Sequence, residues 1–400
     1  MKGSAALKKM MSANGAAVYC AVLLILLAIQ QWAYVIPDHG VGALVRSQIA
    51  QARGRRSWRD SNGYYENLMG GMGDEKKRPI ELVMQGRRPW GEAEPELYHP
   101  AAFLVYEAKP NLRVVHPEEG PVETNSYGFF DREHSLQKPA GTIRIAVFGD
   151  SVARGWGVSM DQRFDRLLES QLNHEFGEHF EVLNFAVPGY RLTQMFDVAM
   201  EKARLWQPDV YLVTLTELSV GPVWGDHVVQ LVENGADLKY PLLRDVVRKS
   251  GLQKDDDGAL SQWKLSRYRT ATLRDLLLQL NNRAEQQSAK VLVVLLPDAE
   301  DAAFTKRRFV GVHALLADAG LPVIDVLDTF AGADVDSIRV WWYDPHPNVA
   351  GQRLIAAALY SKMRQQPEVW TALTGKAHSS PLAQSNTNSS LTDGRTVAAR

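Results

Sequence analysis

Two short stretches carry residue types that catalysis needs. Residues 144–158 read RIAVFGDSVARGWGV, an apolar, partly β-branched run that ends abruptly in Gly149, Asp150 and Ser151. Residues 341–359 read WWYDPHPNVAGQRLIAAAL, where Asp344 stands two positions before His346. A serine hydroxyl becomes a useful nucleophile when an adjacent base takes its proton and a third group orients that base. Ser151, His346 and Asp344 have the types for those three roles, if the fold joins them. Taken singly, the serine reads as a turn or helix cap and the histidine as a surface turn residue. Taken together, each sits between a strand pattern and a helix pattern, and that shared placement favours chemistry. The glycines are wrong for other motifs: no Gly-Lys-Ser/Thr follows, no third glycine completes a dinucleotide fingerprint, and Ser151 lacks the Gly-x-Ser-x-Gly frame.

The elements that must position these residues are legible as an alternation. Five apolar runs read as buried strands, at 143–149, 180–186, 209–215, 290–296 and 321–326. Amphipathic patterns near 161–176, 192–206, 268–288, 303–319 and 349–365 read as helices between and after them. Near-continuous apolar strands alternating with such helices predict an α/β fold, a parallel sheet of about five strands covered on both faces. Ligands then bind beyond the carboxyl ends of the strands, where Ser151 and His346 fall. The stretch 217–267 is too long for a simple connection and reads as a lid or helical insertion.

Composition narrows the function classes. With 45% apolar and 23% charged residues the chain can bury an ordinary globular core. Its 45 basic and 46 acidic residues leave a net charge of -1, which argues against nucleic acid as the main partner. One cysteine, Cys20, excludes an intramolecular disulfide and a cysteine-rich zinc site. In NHEFGEH at 173–179 the two histidines are five apart, so on a helix they stand about 140° from a shared face. A zinc pair needs a spacing of four. No metal and no organic cofactor is expected.

Residues 16–36, AAVYCAVLLILLAIQQWAYVI, are long and apolar enough to span a bilayer. No clear small-x-small cleavage site follows, so the segment reads as an anchor more than as a signal peptide. Lys2, Lys8 and Lys9 favour a cytoplasmic N-terminus, while Arg46, Arg53, Arg55, Arg56 and Arg59 weigh the other way. The expected organisation is a cytoplasmic 1–15, a transmembrane 16–36, a stalk or loosely ordered lead-in 37–104, a catalytic domain 105–370 and a disordered tail 371–400. The expected location is the inner membrane, single-pass, with the domain periplasmic or otherwise extracytoplasmic.

The segments FGDSVARGWGV, NFAVPGY and DPHPNVAGQRL resemble the bacterial SGNH (GDSL-like) serine hydrolases, over about residues 105–365. The lead-in TNSYGFFDRE, continuing to KPAGTIRIAVFGDS, looks like a membrane-associated branch linked to cell-surface polysaccharides. The resemblance implies a three-layer, flavodoxin-like SGNH hydrolase fold. It implies Ser151 as nucleophile, His346 as base and then acid, and Asp344 as the residue that orients His346. It also implies an oxyanion hole built from the backbone amides of Ser151 and Gly189. Two departures stand out. Where the family carries Gly-x-Asn after the third strand, this sequence has Thr216 and Glu217. Thr216 is the replacement donor to expect, and a carboxylate at Glu217 would repel an oxyanion. The late motif is Asp-x-His, not the commoner Asp-x-x-His.

The implied activity is hydrolysis of an ester through an acyl-enzyme, on an acylated small molecule or carbohydrate such as an O-acetylated sugar. Two alternatives stay open: an O-acyltransferase of polysaccharide modification, and a non-catalytic SGNH-like binding protein. A groove lined by Trp224, Trp263, Trp341 and Trp342 would favour a sugar, although core or lid packing is the ordinary use of such residues.

Overall fold

A computed structural model describes residues 94–374, apart from 117, 118, 178, 342 and 343. The expected transmembrane segment 16–36 lies outside these residues; among the described ones no helix is long and apolar enough to cross a membrane.

Two antiparallel hairpins come first. Strand β1 (Tyr98–Ala101) pairs with β2 (Val105–Ala108), and β3 (Arg113–His116) with β4 (Gly120–Glu123). The parallel strands follow: β5 (Ile143–Phe148), β6 (Phe180–Asn184), β7 (Val210–Leu215), β8 (Lys290–Leu295) and β9 (Val323–Asp325). They form one sheet in the order β6-β5-β7-β8-β9, with every pairing parallel. A last antiparallel hairpin joins β10 (Arg339–Trp341) to β11 (Asp344–Pro347).

The helices, in chain order, are α1 (Ser151–Arg154), α2 (Phe164–Phe176), α3 (Leu192–Asp197), α4 (Glu217–Val220), α5 (Asp226–Glu233), α6 (Pro241–Ser250) and α7 (Gly258–Ser266). They continue as α8 (Arg269–Gln286), α9 (Ala302–Arg308), α10 (Val312–Asp318), α11 (Val335–Ile338), α12 (Val349–Gln365) and α13 (Pro367–Thr374). The five apolar runs are the five strands of the sheet. The stretch 217–267 is the helical insertion α4–α7. Gly177 ends α2 in the left-handed conformation, between His174 and His179.

Because side chains alternate across a strand, the sheet divides its apolar residues between two cores. Ile145 and Val147 of β5 face α2, α12 and α13, with Phe164, Leu168, Ile355 and Leu359. Ala146 and Phe148 face the other way, toward α3, α8, the insertion and the first hairpin, with Leu192, Leu273, Leu277 and Trp224. The layers are helix, sheet, helix.

Two expected boundaries move. Leu97, Tyr98 and Leu104 are buried in the core, so the end of the lead-in belongs to the folded unit. At the other end α13 runs to Thr374, with Val369, Trp370 and Leu373 buried, so residues 371–374 are packed helix. In both places a few apolar residues in a polar context were enough to find the core.

The irregular connection before β5 is held by Arg144, which is fully buried at the start of that strand. Its guanidinium donates to Glu181 at 2.7 Å and to the carbonyls of Ser135 at 2.7 Å and Trp206 at 2.8 Å. A buried cation is tolerated when its donors are satisfied this fully.

Candidate active site

The site stands at the carboxyl end of the sheet. Ser151 is the first residue of α1, immediately after β5 and the Gly149-Asp150 bend. Gly149 is required by close packing: a Cβ there would lie 2.2 Å from the Thr214 hydroxyl and 2.3 Å from the Ala153 Cβ. Asp150 caps α1, its carboxylate accepting from the Val152 amide at 3.0 Å. From the far end of the chain, Gln352 on α12 accepts from the Phe164 amide at 3.0 Å and donates to the Val152 carbonyl at 3.3 Å. The helix that carries Ser151 is therefore fixed at both its start and its flank.

His346 arrives on β11. Its Nε2 lies 2.7 Å from Ser151 Oγ, and its Nδ1 hydrogen-bonds Asp344 Oδ1. The same Asp344 oxygen accepts the His346 backbone amide at 2.9 Å. The Asp-x-His spacing is thereby explained: in this hairpin one carboxylate oxygen reaches both the amide and the ring two residues on. The loop after β8 locks the hairpin in place, since the Ala299 amide donates to the Pro345 carbonyl at 2.7 Å. Trp156 stacks on the His346 ring, centroids 5.7 Å apart at 29°.

The charges around the base are arranged to make it basic. Burial is the largest influence on His346 and pulls its pKa down. The hydrogen bond and charge of Asp344, then the charges of Asp298 and Asp150, outweigh it, and the net shift is upward. Asp344 moves the opposite way: burial raises its pKa, but the His346 hydrogen bond and charge leave it below the usual carboxylate range. Asp298, on the loop after β8, is pushed up to about 7, first by burial and then by Glu300 and Asp150.

The loop after β6 carries Gly189, the second of the two expected backbone oxyanion donors. The β5–β6 ladder continues past the strands, with the Phe185 amide donating to Val147 at 2.8 Å and the Val187 amide to Gly149 at 3.2 Å. Gly189 has φ +79°, a left-handed conformation that glycine adopts without strain. The chain that carries Gly189 is thus tied, through the Val187 amide, to the Gly149 carbonyl two residues before Ser151.

Thr216 does not fill the expected donor role. Its hydroxyl is buried and donates to Asp150 Oδ2 instead. The cause is register: Thr214 and Thr216 both point from β7 toward the β5 bend, Thr214 donating to the Phe148 carbonyl at 2.8 Å. Asp150 accepts that hydrogen bond, which pulls its pKa down, but burial is the larger influence and the net shift is upward. Glu217, which looked hostile to an oxyanion, is instead paired with Arg308 at 2.5 Å; Arg308 also reaches Glu300 at 2.8 Å.

The tryptophans separate. Trp224 is fully buried in the core beneath the insertion. Trp263 on α7 and Trp341 on β10 are exposed, and Trp341 faces Asp344 across the hairpin register. Trp342 lies outside the described residues. Trp156, Gln352 and Asp298 were not anticipated as site residues. Trp156 lies within the FGDSVARGWGV segment itself, but no spacing rule ties it to a histidine 190 positions away.

No curated relative matches the chain. Among solved structures it is similar to an acetylxylan esterase from Geobacillus stearothermophilus, in a catalytic variant: 14% identity, 57% of this chain and 96% of that one, TM-score 0.38. It is similar to the lipase/acylhydrolase from Enterococcus faecalis, with 16% identity, coverage of 56% and 95%, and TM-score 0.37. It is also similar to the psychrotrophic esterase EstA from Pseudoalteromonas sp., with 12% identity, coverage of 56% and 97%, and TM-score 0.36. The pattern of the GDSL-like lipase/acylhydrolase family runs over residues 147–354, a span that takes in both Ser151 and His346. That is more than half of the chain, and the chain belongs to the GDSL-like lipase/acylhydrolase family as an esterase-type hydrolase.

Proposed function

We propose that this protein is a serine esterase that removes an O-acyl group from a carbohydrate through an acyl-enzyme, held at a membrane by residues 16–36. The observation that carries the mechanism is the continuous Ser151–His346–Asp344 hydrogen-bonded chain. In the first half-reaction His346 Nε2 takes the Ser151 proton as Oγ attacks the acyl carbon. Negative charge gathers on the carbonyl oxygen, where the Ser151 and Gly189 amides stabilise it. The C–O bond to the sugar then breaks, and His346 returns the proton to the leaving oxygen. In the second half-reaction His346 takes a proton from water as the water oxygen attacks the acyl carbon; the bond from that carbon to Ser151 Oγ then breaks, His346 returns the proton to Oγ, and the acid leaves. Asp344 holds the imidazole in the tautomer that leaves Nε2 free to accept, and stabilises the imidazolium once formed.

The exposed Trp341 beside Asp344 supports a ring-shaped substrate, since an apolar aromatic face at a site mouth is suited to stacking. The apolar run 16–36 supports the anchor and an extracytoplasmic domain. The test is labelling of the full chain by a fluorophosphonate probe, compared with Ser151→Ala and His346→Ala. Labelling lost in both folded variants is the expected result; a folded wild type that never labels would overturn the serine mechanism. Release of acetate from an acetylated oligosaccharide, compared with transfer of acetyl to an added sugar, decides between water and a sugar hydroxyl as acceptor. Resistance of the full chain to alkaline extraction from membranes, lost on deleting residues 16–36, tests the anchor.

A further inference from the structure

We propose that Tyr106 is a positioning residue for the oxyanion donor at Gly189 and acts through the Pro188–Gly189 peptide, an inference that rests on the serine-esterase reading above. Tyr106 lies on β2, in the first hairpin, outside the segment 147–354 that carries the family pattern. Its side chain is buried, and its hydroxyl donates to the Pro188 carbonyl at 2.6 Å. That carbonyl belongs to the same peptide unit as the Gly189 N–H. A trans peptide is planar, with C=O and N–H on opposite edges. Whatever fixes the direction of the carbonyl therefore fixes the direction of the amide proton.

The contact does more than aim. A donor on the carbonyl draws electron density from the peptide nitrogen, so the N–H becomes a stronger donor, and this cooperativity is largest away from water. Burial pushes the Tyr106 phenol pKa upward, so the hydroxyl keeps its proton. The ring has little freedom. It meets Tyr98 edge-on at 5.4 Å and Tyr190 at 5.4 Å, and the Tyr190 hydroxyl donates back to the Tyr106 carbonyl at 2.7 Å. Gly189 is held from its other side as well. Arg191 Nη1 donates to the Gly189 carbonyl at 2.8 Å, while its Nε reaches Val223 at 3.2 Å and its Nη2 reaches Asp226 at 2.7 Å, both within the insertion. The two peptides that flank the Gly189 Cα are thus pinned, one by the first hairpin and one by the insertion. The Gly189 amide itself donates to no acceptor among the described residues, which leaves it for the substrate.

The test uses the full chain and the substitution Tyr106→Phe, which keeps the ring and deletes the hydroxyl. Tyr98→Phe is the control: it lies in the same aromatic stack, and its buried hydroxyl has no hydrogen-bond partner among the described residues. Pro188–Gly189 is the only Pro-Gly step in the sequence, so combined carbonyl-13C proline and 15N glycine labelling isolates one amide resonance. In Tyr106→Phe, kcat on an acetyl ester is expected to fall about tenfold with KM nearly unchanged, the signature of a contact that matters in the transition state. Fluorophosphonate labelling should slow in parallel, and the Gly189 amide proton should shift. Tyr98→Phe should do none of these. An unmoved Gly189 resonance, or a kcat equal to that of Tyr98→Phe, would overturn the inference while leaving the serine reading intact. Failure of the wild type to label would overturn the serine reading, and with it the catalytic use of this contact.

Discussion

The two sides of Ser151 are built from different physics. On the donor side, Asp150, Thr216, Tyr106 and Pro188 are buried, and short hydrogen bonds join Thr216 to Asp150 and Tyr106 to the Pro188 carbonyl. On the base side, His346 and Asp344 keep 22% and 16% of their side-chain surface, on a two-stranded hairpin, with Asp298 and Asp150 near enough to shift the ring's pKa. A developing oxyanion needs donors that do not reorient when charge appears, and buried, hydrogen-bonded surroundings suit that need. A base must gain and lose a proton in each half-reaction, and nearby carboxylates set how strongly it holds that proton. One side is tuned by geometry and the other by charge.

That contrast can be broken from the base side with the largest effects. Ser151→Ala and His346→Ala should each lower kcat on the order of ten-thousandfold or more, and the double variant should be little worse, since the two act as a unit; single and double variants assayed side by side check this. Asp344→Asn should cost on the order of a thousandfold to ten-thousandfold by presenting the wrong imidazole tautomer. It should also move the acid limb of kcat/KM. His346 works as a base only when neutral, and Asp344 raises its pKa, so losing that carboxylate shifts the limb to lower pH. A limb that stays in place would mean that Asp344 does not control the base.

Smaller effects sharpen the comparison. Trp156→Leu removes the indole that stacks on His346 and should lower kcat about tenfold while the pH limb moves little, because positioning is lost and charge is not. Asp298→Asn should do the reverse. Its carboxyl, pushed up to about 7, gains charge near neutrality and raises the His346 pKa; without it the acid limb should move to lower pH, by less than in Asp344→Asn, at nearly unchanged limiting kcat. If Asp298→Asn instead lowers the plateau and leaves the limb alone, Asp298 serves geometry, and the division between the two sides fails there.

The same division explains what the sequence reveals. The sheet is legible because apolar runs and helical periodicity are local signals, and each of the five runs became a strand at nearly the expected position. Ser151 and His346 are legible because each sits where a strand or hairpin hands over to a helix, beside turn-forming residues. The donor side is less so. Thr216 was expected to face the substrate, yet the register of β7 against β5 turns its hydroxyl to Asp150, and pairing register across 66 residues leaves no local trace. Glu217 looked disabling because its partner Arg308 is 91 residues away. Tyr106 and Gln352 act through backbone carbonyls and amides, as Arg144 does beside its Glu181 partner, and such groups have no side-chain signature to search for.

The separation of Ser151 from His346 also sets a timetable. The two meet across 195 residues, and Gln352, which holds the helix of Ser151, arrives later still. Through the making of those 195 residues the growing chain carries a serine with no base to activate it. Closing so long a loop is favourable only once the intervening sheet has formed. Reactivity should therefore switch on in one step once β11 and α12 are in place, and fragments that end before Asp344 should be inert toward esters.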